Sequence, residues 1–311
     1  MRYNAGNTMI FRHTYHDLVW IDVERPTHEE IRGLMNEFDI SPLIADELLT
    51  PSLRPKVERY DNMLYLILHF PALRSGHNNA LQEVDFVVGK KFIITVRYDL
   101  LDPLHKFSKV FEVNSILDRS DIGEHAGYIL FYMMRKLYTS LGHDLAMVSE
   151  RLRDLEARIY KGEERQMVER LSAVHRDLLT FHRALRFHKP ILQSLGKVGE
   201  GFFGRDFGHH TDNIQGEYYK VEELLNDQRE SLDDLRATND SLLTTKTNEI
   251  MKALTATNFL LLPAGLIVQI FTLPAQHTPI IGKLNDFWII IGITLAVVGT
   301  TFTFFKLKKW L

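Results

Sequence analysis

Eight residues of this 311-residue chain, Asn248, Met251, Thr255, Asn258, Leu262, Gly265, Gln269 and Thr272, recur at three- and four-residue spacing. On a helix that spacing places them on one slowly drifting face. The surrounding run from Leu254 to Leu273, LTATNFLLLPAGLIVQIFTL, has no formal charge. Even so, four of the five uncharged polar side chains between Thr255 and Thr272 fall on that face, Thr257 being the exception. A ring of such amide oxygens can coordinate the water of a hydrated cation. Polar groups inside a membrane face a bundle interior or water, since facing lipid is costly. Two readings stand side by side: the face lines an aqueous passage, or its amides hydrogen-bond neighbouring helices. The opposite side offers Phe259, Leu260, Ile267 and Ile270 to lipid or to another helix.

The elements that must position this face begin with a second uncharged run, FWIIIGITLAVVGTTFTFF, from Phe287 to Phe305. Each run is long enough, as helix, to cross a hydrocarbon core of about 30 Å. Lys246 and Lys252 precede the first, and KLKK, Lys306 to Lys309, follows the second. Basic flanks mark the cytoplasmic side, so both termini are expected inside, with a short outer loop at residues 274–286. Two spans cannot enclose a pore. The pore reading therefore requires a symmetric oligomer with the first span innermost and the second outside it. On the second span, Gly292, Ala296 and Thr300 form a small-residue edge suited to helix packing. Upstream, no Pro or Gly after Gly216 interrupts the chain until Pro263. A helix from about Asp212 to Leu273 would be about 90 Å long and would run from cytosol into membrane.

The remainder reads as cytosolic. LVWIDV and MLYLILHF are β-rich runs, and EVDFVVGKKFIITVRYD has the form of a hairpin turning at Gly89-Lys90-Lys91. THEEIRGLMNEF carries helical spacing, and SPLIADELL starts a helix with Ser41 as cap and Pro42 in its first turn. From about Glu124 the pattern becomes long helix, broken at Lys161-Gly162, and the glycine-rich Gly196–His210 reads as a loop. The expected division is a cytosolic α/β domain at 1–110, a helical hairpin at 111–210, a stalk helix at 211–253 and a membrane domain at 254–311. The spans in that last part are 254–273 and 287–305.

Charge is nearly balanced, at −3 with His neutral, so a general affinity for nucleic acid is not expected. Cysteine is absent, which excludes disulfides and thiolate chemistry, and the N-terminus shows no apolar leader. No phosphate-binding glycine loop, nucleophile motif or HExxH is present, so an enzyme is not expected. His209-His210, beside Asp206 and Asp212, form a weak transition-metal candidate, while His175 and His182 lie about 10 Å apart on a helix, too far for one metal.

SLLTTKTNEIMKALT, Ser241 to Thr255, together with Pro263 and the ending FFKLKKWL, resembles the CorA family of metal-ion transporters. PLIADELLTPSLRPKVERYDN, Pro42 to Asn62, is similar to that family's cytosolic domain, and the similarity covers nearly the whole chain. The resemblance implies a funnel-shaped homopentamer that passively conducts divalent cations across the bacterial inner membrane, with the cytosolic domain as sensor. It places Asn248 and Met251 at the cytoplasmic pore mouth, and Leu254 and Leu262, with Met251, at hydrophobic constrictions that gate by excluding water. No covalent cofactor is implied. A regulatory divalent cation such as Mg²⁺ is implied between subunits, for which Asp233, Asp234 and Asp240 are weak candidates.

The chain departs from the family at one motif. Anchored on MKALT and Pro263, the family's Tyr-Gly-Met-Asn aligns with Phe271-Thr272-Leu273-Pro274, so the Gly-Met-Asn positions hold Thr272, Leu273 and Pro274. The loop PAQHTPIIGKLND also lacks the acidic residues that concentrate cations. Gln269, one turn inward, is the candidate replacement for the asparagine ring. The expectation is thus an atypical member with altered selectivity. The alternatives are a non-conducting membrane sensor or scaffold, and a proton-coupled zinc transporter resembling the ZntB branch.

Overall fold

The structure, a computed structural model, describes residues 9–52, 54–71, 81–98, 104, 107, 125–272, 280–282 and 285–307. Six strands form one sheet: β1 (Met9–Tyr15), β2 (Leu18–Glu24), β3 (Lys56–Arg59), β4 (Met63–Pro71), β5 (Leu81–Gly89) and β6 (Phe92–Arg97), in the order β1-β2-β6-β5-β4-β3. β2 and β6 are parallel, and the other neighbouring pairs are antiparallel. Every residue of β4 is buried, which is why MLYLILHF reads as an unbroken apolar run: both faces of the sheet are covered. One face packs on α1 (His28–Phe38) and α2 (Pro42–Glu47) through Ile21, Val23, Ile31, Leu34, Ile44, Tyr65, Ile67, Val87 and Ile94.

Both short helices are closed by their own sequence. Thr27 caps α1: its hydroxyl accepts from the Glu30 N–H at 3.3 Å, while Glu30 accepts from the Thr27 N–H at 2.9 Å. Ser41 caps α2 and Pro42 fills its first turn. Toward the other face, β2 and β6 share a buried polar chain. Trp20 Nε1 donates to Thr95 Oγ1 (3.0 Å), Thr95 Oγ1 to Asp22 Oδ1 (2.7 Å), and Arg97 Nη2 to Asp22 Oδ2 (2.9 Å).

Among the described residues from 125 onward, five helices follow: α3 (Gly127–Tyr160), α4 (Glu164–Leu185), α5 (His188–Phe203), α6 (Asp206–Thr272) and α7 (Asp286–Leu307). α3 packs against β5, and α5 against β3 and β4. The turn between α3 and α4 has Gly162 at φ +93°. A second break falls at Arg186-Phe187, because Pro190 has no N–H for the Arg186 carbonyl.

The loop expected at Gly196–His210 is instead helix on both sides of a sharp turn at Gly204, φ +109°. Gly199 serves close packing: a Cβ there would collide with the buried Phe207 ring, so α5 and the start of α6 approach where no side chain intervenes.

The chain divides into two units, Met1–Lys161 with Gln166–Leu235, and Gly162–Arg165 with Arg236–Leu311. In the first, Gln228 Nε2 donates to Leu145 O (2.7 Å), tying α6 to α3. There too the buried His188 receives the Tyr138 hydroxyl on Nδ1 and donates from Nε2 to His69 O, each at 2.8 Å. The architecture is thus an α/β domain with long helices and two helices apolar enough to cross a membrane, α6 and α7.

Candidate functional site

Within the second unit, α6 turns one side toward its own chain and the other away. Ala256 is buried, and Leu260, Pro263, Ala264, Ile267 and Phe271 are half-buried, a single stripe at helical spacing. The matching stripe on α7 is Ile290, Ile291, Thr294, Val297, Val298, Thr301 and the buried Phe305. Phe259 meets Phe305 with ring centroids 5.6 Å apart, joining the start of one apolar segment to the end of the other. The two helices are therefore antiparallel neighbours.

At 100° per residue, the stripe from Asn248 to Thr272 lies roughly half a turn from the covered side. Asn248, Met251, Asn258, Leu262, Gly265, Gln269 and Thr272 are exposed and Thr255 is half-buried. Leu254, at the edge of this stripe, is 53% exposed, and Met251 and Leu262 are 54% and 64% exposed. Among the described residues, the side-chain amides of Asn248, Asn258 and Gln269 have no hydrogen-bond partner within the chain. The hydroxyls behave differently: Thr257 donates to Ala253 O and Thr272 to Gln269 O, both at 2.9 Å, so neither requires an outside partner. The structure thus brings the eight residues onto one side of α6, seven of them exposed and Thr255 half-buried, and among the described residues its amides have no partner. On α7, the edge Gly292, Ala296 and Thr300 also points away from α6 and is exposed.

A contact that sequence reasoning missed lies just ahead of this face. Lys246 Nζ reaches Glu164 Oε2 at 2.6 Å and Gly162 O at 3.3 Å, holding the α3–α4 turn against α6 two residues before Asn248. The Lys246 ammonium lowers the Glu164 carboxyl below its ordinary range. In the sequence Lys246 is one more basic flanking residue. Nothing local marks a partner 82 positions away.

The metal candidates are dispersed. His209 and His210 stand in the first turns of α6; the His210 ring packs on Tyr128 and Phe131, with centroids 4.8 Å away in both cases. Burial holds the His210 imidazole below its ordinary range. Asp233, Asp234 and Asp240 are exposed along α6. Among the described residues, no three His, Asp or Glu side chains within the chain converge on a metal position. Leu273, Pro274 and most of the 274–286 loop lie outside the described residues, as do Lys308 and Lys309.

Residues 15–308 match the family model of the CorA-like Mg²⁺ transporter protein. This chain belongs to the CorA family. Among curated relatives, the cobalt/magnesium transport protein CorA of Methanocaldococcus jannaschii is 21% identical over 300 residues, covering 94% of this chain and 92% of the relative. The protein of the same description from Thermotoga maritima is 20% identical, covering 94% and 83%. In fold, the chain is similar to the complete structure of the CorA magnesium transporter from Methanocaldococcus jannaschii. The TM-score is 0.82 at 18% identity, over 95% of this chain and 92% of that one. The CorA-type order of α/β domain, long helix and two terminal apolar helices is therefore that of this chain.

Proposed function

We propose that this CorA-family chain assembles as a homopentamer around the outward face of α6 and conducts divalent cations passively across a membrane. The observation that carries this reading is the pair of amides, Asn258 and Gln269, that have no hydrogen-bond partner among the described residues, sit on an apolar stretch of helix and turn away from α7. Left against lipid, each would cost several kcal/mol in lost hydrogen bonds, of the order of 2–7 kcal/mol per group. Water in a passage, or a second copy of α6, removes that cost. Met251, Leu254 and Leu262 then form the apolar constrictions, and Asn248 the cytoplasmic mouth. Family membership supports a divalent cation as the cargo, and Mg²⁺, Co²⁺, Ni²⁺ and Zn²⁺ are the candidates. Because the tripeptide Gly-Met-Asn occurs nowhere in the sequence, selectivity is assigned to the Gln269 ring with help from Thr272. Basic flanks support a cytoplasmic position for both termini in a bacterial inner membrane. A regulatory divalent cation would bind between copies, with Asp233, Asp234 or Asp240 contributing.

Ion flux into proteoliposomes, with Mg²⁺, Co²⁺, Ni²⁺ and Zn²⁺ compared in wild type and Gln269→Ala, tests this reading. A changed ion order in the variant is the expected result. An unchanged order keeps conduction and removes Gln269 as the filter. No flux of any ion, from folded and oligomeric protein, overturns conduction and leaves a membrane sensor or scaffold.

A further inference from the structure

A cavity of about 520 Å³ opens in the first unit, at the end of the sheet where the parallel strands β2 and β6 finish. Arg25 follows β2 and Tyr98 follows β6. Ser52, His69, Gln82 and Glu83 form the inner wall, and Thr180 and Arg183 of α4, with Phe187 at the break that follows it, the outer one. Open α/β sheets place ligands in the crevice outside the carboxyl ends of their parallel strands. The volume lies within the range of small-molecule sites, and a few polar groups among apolar ones match their composition.

Its charges are arranged in depth. At the inner end Glu83 is 3% exposed and its Oε1 accepts the Ser52 N–H at 2.7 Å. Glu83 Oε2 lies 2.9 Å from His69 Nε2, but the same nitrogen lies 2.8 Å from the Ser52 carbonyl. One N–H thus faces two acceptors, and Oε2 is left without a well-directed hydrogen bond. A buried carboxylate oxygen in that position favours a ligand that donates. At the mouth stand two guanidinium groups, Arg25 and Arg183. Arg183 is exposed and has no ion-pair partner among the described residues. Phe187, 41% exposed, offers a ring beside it.

We propose that this cavity binds a small organic anion carrying a planar, N–H-donating ring, of the nucleoside monophosphate kind. Its anionic group meets Arg25 and Arg183, its ring lies along Phe187 and Tyr98, and its donors reach Glu83. This site lies within the first unit and is independent of the conduction reading, since binding is read without ion flux.

Calorimetric titration of the full-length protein in detergent with AMP tests it, with adenosine and inorganic phosphate titrated separately. Saturable AMP binding is expected, weaker for adenosine and for phosphate alone. Arg183→Glu, on an exposed helical surface, weakens AMP by about tenfold or more, the scale of one charge-assisted contact. Arg153→Glu, exposed on α3 and away from the cavity, leaves it unchanged. Phe187→Ala weakens AMP while leaving phosphate binding as it was. The proposal is overturned by absence of saturable binding at millimolar AMP, by binding indifferent to Arg183→Glu, or by phosphate alone binding as tightly as AMP.

Discussion

His188 carries a stability consequence out of proportion to its size. Fully enclosed, it joins α3 to β4 in its neutral form, and burial pushes its pKa down from 6.5 to about 4. The unfolded chain accepts the proton near pH 6.5 and the folded chain does not, so protonation favours unfolding. The stabilisation is whole above about pH 6.5 and is lost as pH falls toward about 4, a difference of about 3 kcal/mol. Urea melts at pH 7 and pH 5 are expected to show a steeper loss in wild type than in His188→Gln. Parallel slopes would remove His188 as the cause. At Arg97, whose guanidinium is 1% exposed and held by Asp22 at 2.9 Å, the expectation is a plain loss. Arg97→Met leaves the Asp22 carboxylate buried and unpaired, and unfolding should become easier by about 3–5 kcal/mol.

At the scale of elements, α6 is where sequence and structure agree most. Asn248 to Thr272 share a face because helical period is written in residue type. The side of α6 that meets α7 is half legible: of Phe259, Leu260, Ile267 and Ile270, expected to face lipid or another helix, Leu260 and Ile267 lie on the covered stripe, and Phe259 and Ile270 are exposed. Other features were hidden for physical reasons. Glycine ordinarily argues against helix, so Gly196–His210 reads as loop. In the folded chain Gly199 lies against the Phe207 ring across the sharp turn at Gly204, a closeness that residue type alone does not announce. The edge strands β1 and β3 carry little apolar signal of their own. The Lys246–Glu164 contact is equally invisible, and it makes a prediction of its own. Lys246→Ala should speed amide hydrogen exchange at 162–165 while leaving exchange in the sheet as in wild type. Unchanged exchange at that turn would mean the ammonium contributes no restraint.

For the whole molecule, the decisive question is what covers the outward side of α6. The chain has no cysteine, so single cysteines can be introduced without a background. Membranes carrying Gln269→Cys or Asn258→Cys should give cross-linked oligomers with a short bis-maleimide. Ala256→Cys, buried on the α7 side, should not. The reverse pattern would place α7 innermost and overturn the assembly proposed for this chain.

Pro263 sits within α6, between the turns that carry Asn258 and Gln269, and the helix continues through it. A proline there withholds one rung of the ladder, leaving the Phe259 carbonyl without its usual donor. The lower and upper halves of the span are consequently joined by a softened joint instead of a stiff rod. In the oligomer proposed for this chain, such joints would let an opening at Gln269 narrow or widen while one at Asn258 kept its diameter, in the manner of two irises stacked in one lens.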